Sequence, residues 1–185
     1  MMNQLKEFMQ VLTGQFDNIQ QYQEKKSMHL DFPYARHVNT ACNDKIENLP
    51  ANFTGIFMVE ESYYTSNGST HSSPHLFLFT EEEDGVLLTS YELPNEYDKT
   101  NFTYESLHQL SYDDLHPSNK FTPALYTKKG DVWEGGSISM FSPVVKFTLF
   151  ERFSTDRLEV SETMEVNGKR TFGFDEPIIY KRIDK

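Results

Sequence analysis

The stretch RLEVSETMEVNGKRTFGF, Arg157 to Phe174, reads as two β-strands about one turn, and a single residue breaks its pattern. Leu158, Val160, Met164 and Val166 fall on one face, and Glu159, Ser161, Thr163 and Glu165 on the other, the period-two alternation of a half-buried strand. Glu162 sits with the apolar set. Two registers compete at the turn. A two-residue Asn167-Gly168 loop pairs Val166 with Lys169 and leaves Phe172 and Phe174 off the apolar face. A three-residue loop, Val166 to Gly168 with Gly168 left-handed, pairs Glu165 with Lys169, Met164 with Arg170 and Glu162 with Phe172. That register keeps both faces consistent, so we expect it, with Arg170 diagonal to Glu162 and in reach of it. Glu162 is then either half of a structural ion pair at a barrel end or a polar fixture in a ligand cavity.

The same alternation recurs along most of the chain. Strands are expected at about 28–36, 55–65, 74–80, 86–92, 122–127, 131–141, 144–153, 157–166, 169–174 and 177–183, separated by turn signals such as SNGST, EEEDG, KKGD and NGK. Ahead of them, Leu5, Phe8, Met9 and Leu12 form one stripe of an amphipathic helix that Gly14 ends. A second helix follows, with Asn18 as N-cap and Gln21 three residues on, close to a capping box. The segment NFTYESLHQLSYDDLHPSN, near 103–116, predicts one or two short helices or a structured loop. Many short strands after an N-terminal helical element predict a mainly β fold: a calycin-like antiparallel barrel of about ten strands, flanked or capped by the helices. One domain over 1–185 is expected, with helices in 1–27 and the barrel in 28–185.

Composition narrows the partners. The 185 residues carry 17 basic and 28 acidic side chains, net −11. That argues against nucleic acid, whose binding rests on clustered Lys and Arg. No run approaches the roughly 18 apolar residues of a membrane span, and nothing resembles a signal peptide. A cytoplasmic chain is the expectation, in which the triplets at Asn52, Asn67 and Asn101 are not glycosylation sites. The single cysteine, Cys42, excludes an internal disulfide. Phe, Tyr and Trp make up 14% of the chain, enough to build strands and to line a ligand site.

The motifs point one way when taken in order. LTGQFDNIQQ, GIFMVEESYY, VLLTSYELPN, LSYDDL, VWEGGS and NGKRTFGFDEPIIYKR together resemble the CpcT/CpeT-type phycobiliprotein chromophore lyases. Gly14, Phe16, Asp17, Asn18 and Gln21 match the family's first motif. Gly168, Lys169 and Gly173 match a late one, and Tyr180, Lys181 and Arg182 its end. The resemblance spans about 12–183 and implies a calycin-like barrel that binds a linear tetrapyrrole and helps attach it to a cysteine of a phycobiliprotein β subunit. A phycocyanobilin-like bilin would be the ligand, with no tightly bound cofactor, a phycobiliprotein-like client as partner, and a homodimer left open. Where relatives tend to carry a cysteine, this chain has Ser137, Ser139 and Met140; where they tend to carry an arginine-rich strand, His75 and Arg170 are what remain.

Other chemistries find little footing. His71 and His75 have a spacing that suits zinc only on a helix, which Pro74 forbids. Glu81 to Asp84 lack the alternation of a calcium loop. There is no G-x-S-x-G elbow and no phosphate loop. Within GIFMVEESYY one of Glu60 and Glu61 must share a face with apolar residues. Glu61 is the expected catalytic residue, a proton donor to a bilin vinyl group. Tyr63, His75, Tyr91, Trp133, Glu162 and Arg170 are the expected ligand-binding set, and no metal is expected. Two alternatives stay beside the lyase: a non-catalytic carrier or sensor of an apolar small molecule, and a ligand-free interaction module with a barrel filled by its own aromatics.

Overall fold

The structure, a computed structural model, describes residues 3–183. Helix α1 (Gln4–Leu12) is capped by the Asn3 side chain, which accepts from the Lys6 N–H. Strand β1 (Gly14–Asp17) follows at once, Gly14 starting it at φ 129°. Then come α2 (Ile19–Ser27), β2 (Tyr34–Ala41), β3 (Ile46–Glu47), β4 (Ile56–Ser66), β5 (Ser69–Ser72), β6 (His75–Glu82), β7 (Gly85–Tyr91), β8 (Leu110–Ser111), β9 (Ala124–Lys129), β10 (Val132–Ser142), β11 (Val145–Ser154), β12 (Arg157–Val166), β13 (Lys169–Phe172) and β14 (Ile178–Arg182). Ten of these pair antiparallel in the order β11-β10-β9-β7-β6-β4-β2-β1-β14-β12, and β12 pairs back onto β11 to close the barrel. β5 and β13 extend it as hairpin arms, and β3 and β8 form a small parallel pair. Among the described residues no helix is long and apolar enough to cross a membrane.

Several expectations shift. The first long strand begins at Tyr34 rather than 28, because Met28 to Pro33 unwind from α2, with His29 at φ 59°. Asn18 is not a side-chain cap. Asp17 Oδ1 accepts the Ile19 N–H instead, at 3.1 Å. Asn18 is buried, donating to Pro33 O and accepting the Ala35 N–H, while Gln21 bridges Pro177 O and the Ile179 N–H. These two amides staple α2 to β2 and β14. Near 103–116 the only helical element is a single 3₁₀ turn, Tyr112–Asp114, which follows the two-residue β8 in a connection otherwise made of turns and loop.

The expected hairpin register is also corrected. Asn167 and Gly168 both have positive φ, 51° and 75°, the type I′ pair, and Val166 sits opposite Lys169. A bulge then shifts the register, so Glu165 faces Arg170 while Met164 faces Phe172. The tight turn satisfies the Asn-Gly preference, and the bulge returns Phe172 to the apolar side. Gly173 follows at φ 102° against β12, where a Cβ would lie 2.2 Å from Glu162 O.

Two apolar cores result. Inside the barrel, α1 inserts Leu5, Phe8, Met9 and Leu12 into one end. The Phe8 ring lies 5.1 to 5.4 Å from the rings of Phe79, Tyr126, Trp133 and Phe153. Outside, Phe57, Val59, Leu76 and Leu78 from β4 and β6 are covered by Phe102, Leu107, Leu110 and Leu115. Burial on both faces is why HLFLF and IFMV read as unbroken apolar runs.

Candidate functional site

With α1 closing one end, the interior positions of the strands stack in layers. The base is aromatic. Above it comes a polar layer: His37 from β2, Glu60 and Ser62 from β4, Ser90 from β7, Tyr126 from β9, Glu151 from β11, Glu162 from β12 and Tyr180 from β14. His37 is 3% exposed and Glu151 7%. Above that, Tyr64, His75, Phe121, Phe141, Phe147 and Met164 line an open mouth of about 470 Å³. Beneath it lies an inner chamber of about 40 Å³, walled by His37, Glu60, Ser90, Glu151 and Glu162. A side pocket of about 200 Å³ opens between Phe32, Tyr64, Phe172 and Phe174. Glu162 lines all three.

Hydrogen bonds order the polar layer. The Tyr180 hydroxyl lies 3.1 Å from His37 Nε2. On the other side of the ring, Nδ1 lies 3.6 Å from Glu60 Oε2 and 3.3 Å from Ser62 Oγ, and Ser62 donates to Glu60 Oε1. The chain Tyr180–His37–Glu60 thus crosses the polar layer. Tyr126 donates to Glu151.

Electrostatics separate the three carboxylates. Burial alone would raise Glu60, but His37 outweighs it and holds this carboxyl below the usual range. Burial and the charge of Glu60 push Glu151 up to about 8 and Glu162 to about 7. Glu151 is buried outright, whereas Glu60 and Glu162 are only partly buried, and Glu162 also borders the open mouth and the side pocket. Burial lowers His37, yet Glu60 reverses this and leaves the imidazole raised. His75 is lowered, chiefly by burial, with Lys99 and Lys120 adding to it.

The expected site residues divide. Glu162 and His75 do line the cavity, His75 stacked on Phe77 at 5.3 Å. Tyr91 contributes to the mouth wall while packing on Phe57 in the outer core, ring centres 5.1 Å apart. Trp133 belongs to the base, against Phe8, its indole N–H without a partner. Glu61 and Tyr63 are on the outer face of β4. There Glu61 accepts from the Tyr63 hydroxyl at 2.5 Å and the Tyr104 N–H at 3.2 Å, and so anchors the outer connection. Arg170 is 42% exposed in its side chain and pairs with Asp175 at 2.6 Å rather than with Glu162, because the bulge turns it outward. The residues missed are Glu60, His37, Glu151, Tyr64 and Tyr180. Glu151 carried the same signal as Glu162, a carboxylate in step with Phe147, Leu149 and Phe153. Glu60 shares its parity with Met58 and Glu61 with Phe57 and Val59, all three fully buried, so alternation gave no signal between the two glutamates.

The motif residues behind the resemblance mostly hold the fold together. Arg182 lies over the Phe16 ring at 4.5 Å and donates to Val11 O, Thr13 O and Thr155 O, tying β14 to the end of α1. Asn18, Gln21, Gly168 and Gly173 act as described above. No protein-family model matches the chain, and no curated protein matches it in sequence.

Proposed function

We propose that this chain is a small-molecule-binding barrel of the chromophore-lyase kind, which takes a linear tetrapyrrole and presents it to a cysteine of a client protein. One observation carries the reading: an aromatic-walled cavity leads from an open mouth of about 470 Å³ to a chamber where carboxylates and an imidazole converge. That size falls within the range of ligand sites, and the mix of apolar wall and few polar groups is theirs too. Glu60, held ionised beside His37, would accept hydrogen bonds from pyrrole N–H groups. Lys99 and Lys120 at the mouth suit propionates. Attachment would be promoted by positioning, and Glu162, raised to about 7 and so able to hold and release a proton near neutrality, replaces Glu61 as the proton donor.

A carrier without covalent chemistry is the second reading, and Cys42 favours it. This only cysteine is buried in the outer core, and burial pushes its thiol up to about 12, so it cannot hold a bilin in transit. Mixing the purified chain with phycocyanobilin or biliverdin tests the site directly: a shifted, sharpened visible band is expected. An unchanged free-bilin spectrum at micromolar concentrations refutes it. Adding a phycobiliprotein β subunit then separates the two readings, since only a lyase speeds covalent transfer.

A further inference from the structure

The inner chamber has an uneven charge balance. β4, β11 and β12 each turn one carboxylate into it, and among the described residues no lysine or arginine lines it. His37 is committed to Glu60, and Glu151 has the Tyr126 phenol. Glu162 points into the barrel, partly buried, yet has no hydrogen-bond partner among the described residues, and it borders all three compartments of the cavity. Around it stand the rings of Phe77, Phe121 and Phe147, with Tyr64 and Phe141 nearer the mouth. Aromatic faces attract cations, and an enclosed carboxylate without a counter-charge is stabilised by a ligand that supplies one. Among the described residues no three His, Cys, Asp or Glu side chains converge to hold a metal ion, which points to a molecular cation.

We propose that the chamber selects an amphipathic organic cation, a protonated amine or nitrogen heterocycle on an aromatic body, with its charged end against Glu162 and Glu151. This rests on the barrel being a ligand site and names the class of ligand it prefers. Lys99 and Lys120 at the mouth leave room for an anionic group at the ligand's outer end. The ionisable groups facing the seat are His37, Glu60, Tyr64, His75, Tyr126, Glu151, Glu162 and Tyr180. Burial keeps the three phenols neutral near pH 7. Raising the pH therefore strips protons from the imidazoles, Glu162 and Glu151, and each loss makes the seat more negative.

Three naphthalene probes of differing charge decide the matter on the full chain: (1-naphthylmethyl)trimethylammonium, neutral N-phenyl-1-naphthylamine and anionic 8-anilinonaphthalene-1-sulfonate. Affinities are measured by fluorescence and calorimetry at pH 5.5 and 8.5. The cation should bind about tenfold tighter than the neutral probe at pH 8.5, and about tenfold tighter there than at pH 5.5, one factor of ten being about 1.4 kcal/mol. Glu162→Gln should remove most of that pH dependence, with thermal melting confirming that the variant is folded. A neutral probe that matches the cation, or a cation affinity flat with pH in the parent chain, overturns the charge selection and leaves the barrel as a ligand site. Failure of every probe and of bilin to bind overturns both.

Discussion

Glu162 and Glu60 are one strand-residue type in two environments. Glu60 has His37 beside it and stays ionised, whereas Glu162 has no hydrogen-bond partner among the described residues, and burial with the charge of Glu60 raises it to about 7. For Glu162 the folded value lies above the unfolded one. Its contribution is therefore neutral at low pH, and stability falls as pH rises from about 4.5 through 7. At about 1.4 kcal/mol per tenfold change in proton affinity, this carboxyl alone removes about 3 kcal/mol. Urea unfolding between pH 5 and 8.5 should record a decline in which Glu151 joins, and Glu162→Gln should flatten it; a stability that rises over this range contradicts the assignment. Glu162→Leu should be at least as stable as the parent at pH 8 and should bind bilin more weakly, as read by melting and by the visible band. The opposite is expected at His37. His37→Ala strips the counter-charge from Glu60 and should cost about 3 to 5 kcal/mol at neutral pH by urea unfolding, much more than a surface substitution.

Helix α1 and the β12–β13 hairpin show how single elements shape the cavity. α1 is a plug, and Phe8 is its central knob, with no exposed surface and four aromatic neighbours. Phe8→Ala should destabilise by about 3 to 5 kcal/mol in denaturant unfolding. The hairpin builds the side pocket: its bulge aims Phe172 at the cavity, and Gly173 lets the chain pass close over β12 before Phe174 meets Phe32 at 4.8 Å. At Gly173 an added Cβ meets backbone and a left-handed φ together, so Gly173→Ala should loosen this arm and raise amide exchange in β13. The Asn-Gly turn was legible as a turn. The bulge was not, because alternation alone cannot tell a longer loop from a tighter loop followed by an extra residue.

At the scale of the molecule, closure matters more than any one contact. Ten strands leave no open edge, since β11 and β12 meet, and the long connection from β7 to β9 covers the outer face of β4 and β6. Those two strands lie between both cores, so their amides should exchange most slowly of all, and those of β5 and β13 fastest. Hydrogen exchange read by mass spectrometry checks this; slowest exchange in β10 or β11 would contradict it. A cavity survives in such a barrel because α1 and the rings packed on Phe8 fill only the plugged end, while Phe121, Phe141 and Phe147 line the walls beyond it and polar side chains hold the middle.

The amino-acid sequence by itself determined most of the long strands, many of the turns and the amphipathic N-terminal helix, and so pointed to an antiparallel barrel, because periodicity and turn chemistry are local properties. It missed the four-residue β1, which reads as the break between two helices, and counted β13, an arm, among the barrel strands. It also marked Glu162 as a carboxylate out of place. Only the tertiary structure decided which of Glu60 and Glu61 turns inward and that Arg170 leaves for Asp175. It also brought His37, Glu60, Glu151 and Glu162, from four strands, into one chamber, with Tyr180 behind the imidazole. Facing across a barrel depends on the register of every strand at once, and one bulge reverses it, so no window of sequence contains that information.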